Sequence, residues 1–193
     1  MIRDLVIKNR SYRRFYQEVR VEMSVLQELV DLARQSPSAA NKQPLKYVLT
    51  NQPAVNNLIF DQLAWAGYLK DWSGPAEGEK PAAYILVLAD HNISRAINCD
   101  HGIAAQSILL GAAELGLGGC ILSSINRDKV NEALNIPSHL EILLVIALGK
   151  PKEMVILENM PEDGDIKYWR DVEGQHHVPK RALSEIVLAE YMA

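Results

Sequence analysis

The sequence predicts one domain of interleaved helices and strands, and three observations carry that expectation. Two strongly apolar runs, 82–89 (AAYILVLA) and 142–148 (ILLVIAL), have the length and continuity of buried strands. Leu26, Leu29, Val30 and Ala33 recur at the spacing of one helix face. Residues 99–115 are apolar almost all round, as in a helix set in the middle of a core, and Gln106 is their conspicuous polar member. With 193 residues, 48% hydrophobic and 23% charged, the chain can build that core without staples.

The remaining elements follow in order. Residues 1–9 read as a short helix with Leu5 and Val6 or Ile7 inward. Ser24 and Gln27 have the spacing of a capping box, so the next helix is expected to start there and stop at Pro37, which restricts the residue before it and cannot donate to the ladder. Residues 47–50 read as a strand and 54–63 as a helix. Trp65, Tyr68 and Trp72 then lie among Gly67, Gly74, Pro75 and Gly78; the segment is either a mobile cover over a pocket or a loop packed by its own side chains. Asp100 stands where an acid caps a helix well. Residues 120–125 should be a strand with Ser123 and Ser124 at its polar end, and 128–134 a short helix. The tail beyond Pro151 is long, and 158–175 has little periodicity.

Composition narrows the function classes. A net charge of −4 gives no reason to expect a nucleic-acid surface. Cys99 and Cys120 lack C-x-x-C spacing, so reduced thiols in a cytoplasmic setting fit better than a disulfide framework or zinc knuckle. His176 and His177 are adjacent and should point to opposite faces of an extended segment. No signal-peptide pattern, membrane-length apolar run or sequence-local metal cluster is present.

Four stretches carry candidate chemistry. Residues 36–44 (SPSAANKQP) place two amides, Asn41 and Gln43, after small residues; amides offer the paired donor and acceptor that suit the edge of a planar heterocycle, while the plainer alternative is a loop bonded to itself. Arg10, Arg13 and Arg14 lie within five residues: a phosphate clamp or a solvated basic turn. Gly116, Gly118 and Gly119 either let backbone N–H groups reach a ligand or permit tight helix–strand packing. Lys180 and Arg181 follow Pro179 and should open a short helix, where their charge opposes the dipole unless an anion binds.

Taken together, Arg10-Ser11-x-Arg13, the Pro37-Ser38-Ala39-Ala40-Asn41-x-Gln43-Pro44 element, Gly116-Leu117-Gly118-Gly119-Cys120 and Leu148-Gly149-Lys150-Pro151 resemble, in order and spacing, the nitroreductase family of FMN-dependent oxidoreductases. The tail sequence 176–183 (HHVPKRAL) resembles a C-terminal signature of a short subgroup. The resemblance implies an α+β fold with a mixed, mainly antiparallel sheet among helices. It also implies an intertwined homodimer with two FMN sites at the interface, the chain being a single domain, 1–193, whose extension 152–193 wraps the partner. Arg10, Ser11 and Arg13 match residues that contact the ribityl phosphate and the pyrimidine side of the flavin. Pro37, Ser38 and Ala39 match positions that approach the partner's FMN; Asn41 belongs to the same motif, and Gln43 matches the amide contact to the flavin edge. Leu122 and Ser123 fall where the family makes backbone contacts to the flavin, and Lys180 and Arg181 match its C-terminal phosphate contact.

The implied activity is transfer of reducing equivalents from NADH or NADPH through FMN to a nitroaromatic, quinone or similar small acceptor in a ping-pong cycle. No side chain is expected to act as nucleophile or general acid. The departures are Leu45, where many relatives carry Trp, and Cys120-Ile121-Leu122, where Cys-Trp-Ile is commoner. The alternatives are a specialised member (a dehalogenase, an enoate or dehydropeptide oxidase, or a flavin-consuming enzyme), a redox-sensing FMN-binding module, and a structural protein without cofactor.

Overall fold

A computed structural model describes residues 1–192 and divides the chain into two compact units, 1–65 with 73–152 and 66–72 with 153–193. In the first, helix α1 (Ile2–Lys8) leads through strand β1 (Phe15–Tyr16) to α2 (Met23–Gln35). A 3₁₀ turn (Ala39–Asn41), β2 (Leu45–Thr50), α3 (Pro53–Phe60) and β3 (Ala83–Asp90) follow. The unit closes with α4 (Asp100–Glu114), β4 (Gly118–Leu122), α5 (Arg127–Leu134) and β5 (Leu140–Pro151).

The sheet has five strands in the order β1-β5-β3-β2, with β4 also paired to β5. All its strand pairs are antiparallel, and a single parallel bridge joins Ser11 to Gly119. β3 is buried along its whole length, which explains its unbroken apolar run. α2 and α4 cover one face, where Leu26, Leu29, Ile108 and Ala112 meet Ile85, Val87 and Ile146. They approach closely because Gly111 has no side chain: a Cβ there would lie 2.4 Å from Leu32 Cδ1. Leu26 and Leu29 are fully buried, each burial worth about 1.5–3 kcal/mol.

Several expectations need correction. Val6 and Ile7 of α1 are 44% and 52% exposed, and Leu5 is only half-buried. α2 begins at Met23 with Glu22 as N-cap, so Ser24 lies inside the first turn and caps nothing. The chain's entry is fixed earlier, by buried Val21, whose carbonyl accepts from Asn51 Nδ2 at 3.0 Å. α4 is not apolar all round: Gln106 is exposed and Ile103 is 38% exposed. β4 ends at Leu122, leaving Ser123 and Ser124 beyond it, and β5 runs to Pro151, longer than its apolar run. Trp65 is no mobile cover: it is 8% exposed and packs on Phe60 and Gly74.

The second unit is built on a three-stranded sheet, β6 (Val155–Asn159), β8 (His176–Lys180) and β7 (Trp169–Arg170), with β6 and β8 parallel and β7 antiparallel to β8. A short helix, α6 (Leu183–Ile186), follows. Lys180 therefore closes a strand, opposite Asn159, and helix α6 starts only at Leu183; the expected pair of cations at a helix start is not formed. Aromatic stacking does much of the packing. Arg170 lies 4.2 Å over Trp72 and donates to buried Glu153 at 2.9 Å. His176 is buried in contact with Tyr168, while His177 faces the other way, stacked on Trp169 and bonded to Glu158 and Asp171.

Candidate functional site

The 36–44 loop is the most unusual backbone in the first unit. Ala40, Asn41 and Gln43 have φ of 51°, 53° and 50°, a region non-glycine residues enter at a cost. The local sequence favours a turn but not this one, so something must hold it. Ser38 Oγ donates to Asp100 Oδ2 at 2.5 Å, and the Ala39 N–H donates to Asp100 Oδ1 at 3.0 Å. The Gln43 N–H in turn donates to Ser38 Oγ at 2.9 Å. Asp100 is only 4% exposed and sits in the first turn of α4, where the helix dipole favours a carboxylate. Its caps-a-helix reading is thus replaced: its two oxygens are spent on a loop some sixty residues away.

Ser36, at the exit of α2, donates to Leu32 O at 2.9 Å and shares a 2.7 Å hydroxyl contact with Ser107. Beside the loop lies an open cleft lined by Ala33, Ser36, Pro37, Ser38, Gln43 and Tyr47 among others. Burial, and then the charge of Asp100, push the Tyr47 phenol up to about 12. Asn41 and Gln43 are exposed, and the Gln43 amide donates to Asn41 O at 3.2 Å, so here the loop does bond to itself.

The arginine segment is fixed against β4. Ser11 bridges Gly119, and the Tyr12 N–H donates to Gly119 O at 3.0 Å. Gly118 and Gly119 are glycines for packing: a Cβ would lie 2.4 Å from Tyr12 Cδ2 and 2.5 Å from the Ala147 carbonyl respectively. The three arginines divide. Arg14 is consumed by a two-pronged pair with Glu79 at 2.7 and 2.6 Å, and Lys152 reaches the same carboxylate at 3.1 Å. That cluster, Arg14 first, holds the Glu79 carboxyl at about 2. Arg13 Nη1 donates to Ser11 O at 3.2 Å. Arg10 donates through Nη2 to Val6 O at 2.7 Å, but its buried Nε has no partner.

α4 connects the two motifs. Asp100 holds Ser38 and Ala39, Ser107 meets Ser36, and Gln106 Oε1 accepts from Asn9, the residue before Arg10, at 3.4 Å. Leu122 is buried at the end of β4, and Ser123 is exposed just beyond it. Lys180 and Arg181, both exposed, belong to the second unit. Asp100 is the residue that sequence reasoning undervalued, since nothing local links an acid at a helix start to a distant serine. Among the described residues no group of His, Cys, Asp and Glu is arranged to hold a metal, and no helix is long and apolar enough to cross a membrane.

Comparison with known proteins agrees with this architecture. The family model described as Nitroreductase family matches residues 6–150, and the chain belongs to that family. A relative from Methanothermobacter thermautotrophicus, named "Putative NADH dehydrogenase/NAD(P)H nitroreductase", is 28% identical over 154 residues, covering 76% of each chain. A nitroreductase family protein from Clostridium novyi NT superposes with a TM-score of 0.67 at 25% identity, covering 79% of this chain and 87% of its own. A structure described as a "putative nitroreductase in complex with fmn", from Desulfovibrio desulfuricans, has a TM-score of 0.72 at 21% identity and covers 100% of this chain and 98% of its own. The α+β fold is thus that of the nitroreductases.

Proposed function

We infer that this nitroreductase-family protein is an FMN-dependent oxidoreductase acting between NADH or NADPH and a small acceptor such as a nitroaromatic or quinone. The observation that carries the reading is Arg10: its buried Nε is a donor the fold leaves unspent, beside a hydroxyl, Ser11, that is exposed. An arginine so placed suits a dianionic phosphate. The residues fit FMN at both ends, with Arg10, Ser11 and Arg13 as donors for the phosphate and pyrimidine side, and the exposed Gln43 amide for the ring edge. Bound FMN would supply two-electron chemistry in a ping-pong cycle, nicotinamide and acceptor using one open face in turn.

The chain's own part is to bind and orient. Arg10 and Arg13 place positive charge in the site, which favours electron-rich forms of a bound ring. Gln43 can release its contact with Asn41 O and present donor and acceptor together. Leu122 and Ser123 offer backbone groups where β4 stops pairing with β5. Pro37, Ser38 and Ala39 serve the flavin of a second copy in a homodimer, and Lys180 and Arg181 complete the phosphate contact from the 152–193 extension. The exposed α1 side chains Val6 and Ile7 support such an interface.

The test is mass spectrometry of heat-released cofactor, followed by anaerobic stopped-flow mixing with each nicotinamide. FMN that bleaches on mixing supports the reading; FAD, or no affinity for added FMN, overturns it. Sedimentation with flavin absorbance tests the dimer: a full-length monomer carrying stoichiometric FMN would refute the shared site.

A further inference from the structure

We propose that Asp100 is the positioning residue of the cofactor loop: its buried carboxylate locks the stretch from Ser38 to Gln43, with Ala40, Asn41 and Gln43 at positive φ, in the conformation that places Gln43 for the flavin ring. The proposal rests on the FMN reading above and adds a residue and a mechanism to it. Asp100 accepts from Ser38 Oγ at 2.5 Å and from the Ala39 N–H at 3.0 Å, and Ser38 Oγ accepts from the Gln43 N–H at 2.9 Å. One carboxylate thus fixes both ends of the strained stretch, the far end through a serine relay. Between those ends stand Ala40 and Asn41, and Gln43 closes the stretch; all three have positive φ. Each such residue reduces the population of the conformation by roughly tenfold in a free chain.

Only an anchor that does not itself move can hold such a loop. Asp100 is 4% exposed and belongs to the first turn of a 15-residue helix whose next turns carry Ala104, Ala105 and Ile108 into the core. A carboxylate also supplies two acceptors and no donor, which is what a hydroxyl and a backbone N–H require of it. Asparagine keeps one acceptor but turns a donor toward Ser38, so the relay to Gln43 must rearrange. The chemistry therefore distinguishes aspartate from its isostere.

The experiment compares the parent, Asp100→Asn, Asp100→Ala and Ser38→Ala by amide hydrogen exchange and by titration of the FMN-free proteins with FMN and with riboflavin, which lacks the phosphate. In the parent, the Ala39 and Gln43 amides are expected to be protected. Asp100→Ala should speed exchange at both by at least about tenfold, at unchanged exchange along β3, and should weaken FMN and riboflavin by the same factor, about ten- to a hundredfold. Ser38→Ala should release Gln43 alone, and it keeps the test decisive if Asp100→Ala fails to fold. Unchanged exchange at Ala39 and Gln43, unchanged flavin affinity, or a loss confined to FMN would each overturn the proposal. A parent protein that binds no FMN would instead refute the cofactor reading, while the exchange data would still judge the lock.

Discussion

Replacing Glu79 by glutamine probes the ion cluster that follows the candidate phosphate-binding arginines. Glu79 is paired by both prongs of Arg14 and by Lys152, and its side chain is 14% exposed. These partners lower its carboxyl from the ordinary 4.5 to about 2. A carboxylate lowered on folding adds stability that is fully present above its unfolded value and is lost as pH falls toward the folded one. Between the two, at about 1.4 kcal/mol per unit of pH, lies roughly 3 kcal/mol, and partial screening by solvent brings the expected contribution to about 2 kcal/mol. Glu79→Gln removes it at pH 7 and leaves Arg14 and Lys152 without their counter-charge. Urea unfolding at pH 7 should show the variant less stable by about 2–3 kcal/mol, a fall in Tm of about 5–10 °C for a chain of this size. The gap should hold constant above pH 5 and shrink steadily below pH 4.5. A gap equal at pH 7 and pH 3, or none at pH 7, would refute the reasoning.

Other outcomes follow from single residues. Arg10→Ala should weaken FMN by about 1.5–3 kcal/mol in equilibrium titration with an unchanged far-UV spectrum, and should spare riboflavin. Gly119→Ala should lower Tm sharply, by the equivalent of about 2–3 kcal/mol, because the new methyl would meet the Ala147 carbonyl at 2.5 Å, and backbone cannot yield as a side chain can. For His177, burial pulls the ring's pKa down, but the carboxylates of Asp171 and Glu158 outweigh it and leave it raised. Its support for the second unit is therefore full below pH 6.5 and lost as pH rises through the raised value; protection factors in β8, which correct exchange for its intrinsic rise with pH, should be lower at pH 9 than at pH 6, and His177→Gln should abolish that difference. Truncation at residue 155 should abolish both dimer and FMN binding, as read by sedimentation with flavin absorbance.

The parts of the fold legible in the sequence were those where one physical signal dominates. The run through β3 is apolar because both faces are buried, and α2 shows its face because Leu26, Leu29 and Ala33 all meet the core. The helix starts at Met23 and not at the Ser24 capping-box pattern, because that pattern is local whereas the entry is set by Val21 and Asn51, thirty residues apart. The tail strands were illegible because they are short, partly exposed, and held by pairs such as Arg170–Glu153 that leave no periodicity. The same rule governs the site. The Arg10-to-Arg13 and Ser36-to-Pro44 motifs are contiguous and could be read; Asp100, which supports the second, acts across the fold and could not.

The second unit also sets a timetable for the ribosome. Tyr68 and Trp72 complete it by packing on Tyr168 and Arg170, about a hundred residues downstream. At roughly 5–20 residues per second, the early aromatics leave the ribosome about 5–20 seconds before their partners exist. During that interval the stretch 66–72 is an exposed aromatic loop on an unfinished protein, open to chaperones and proteases.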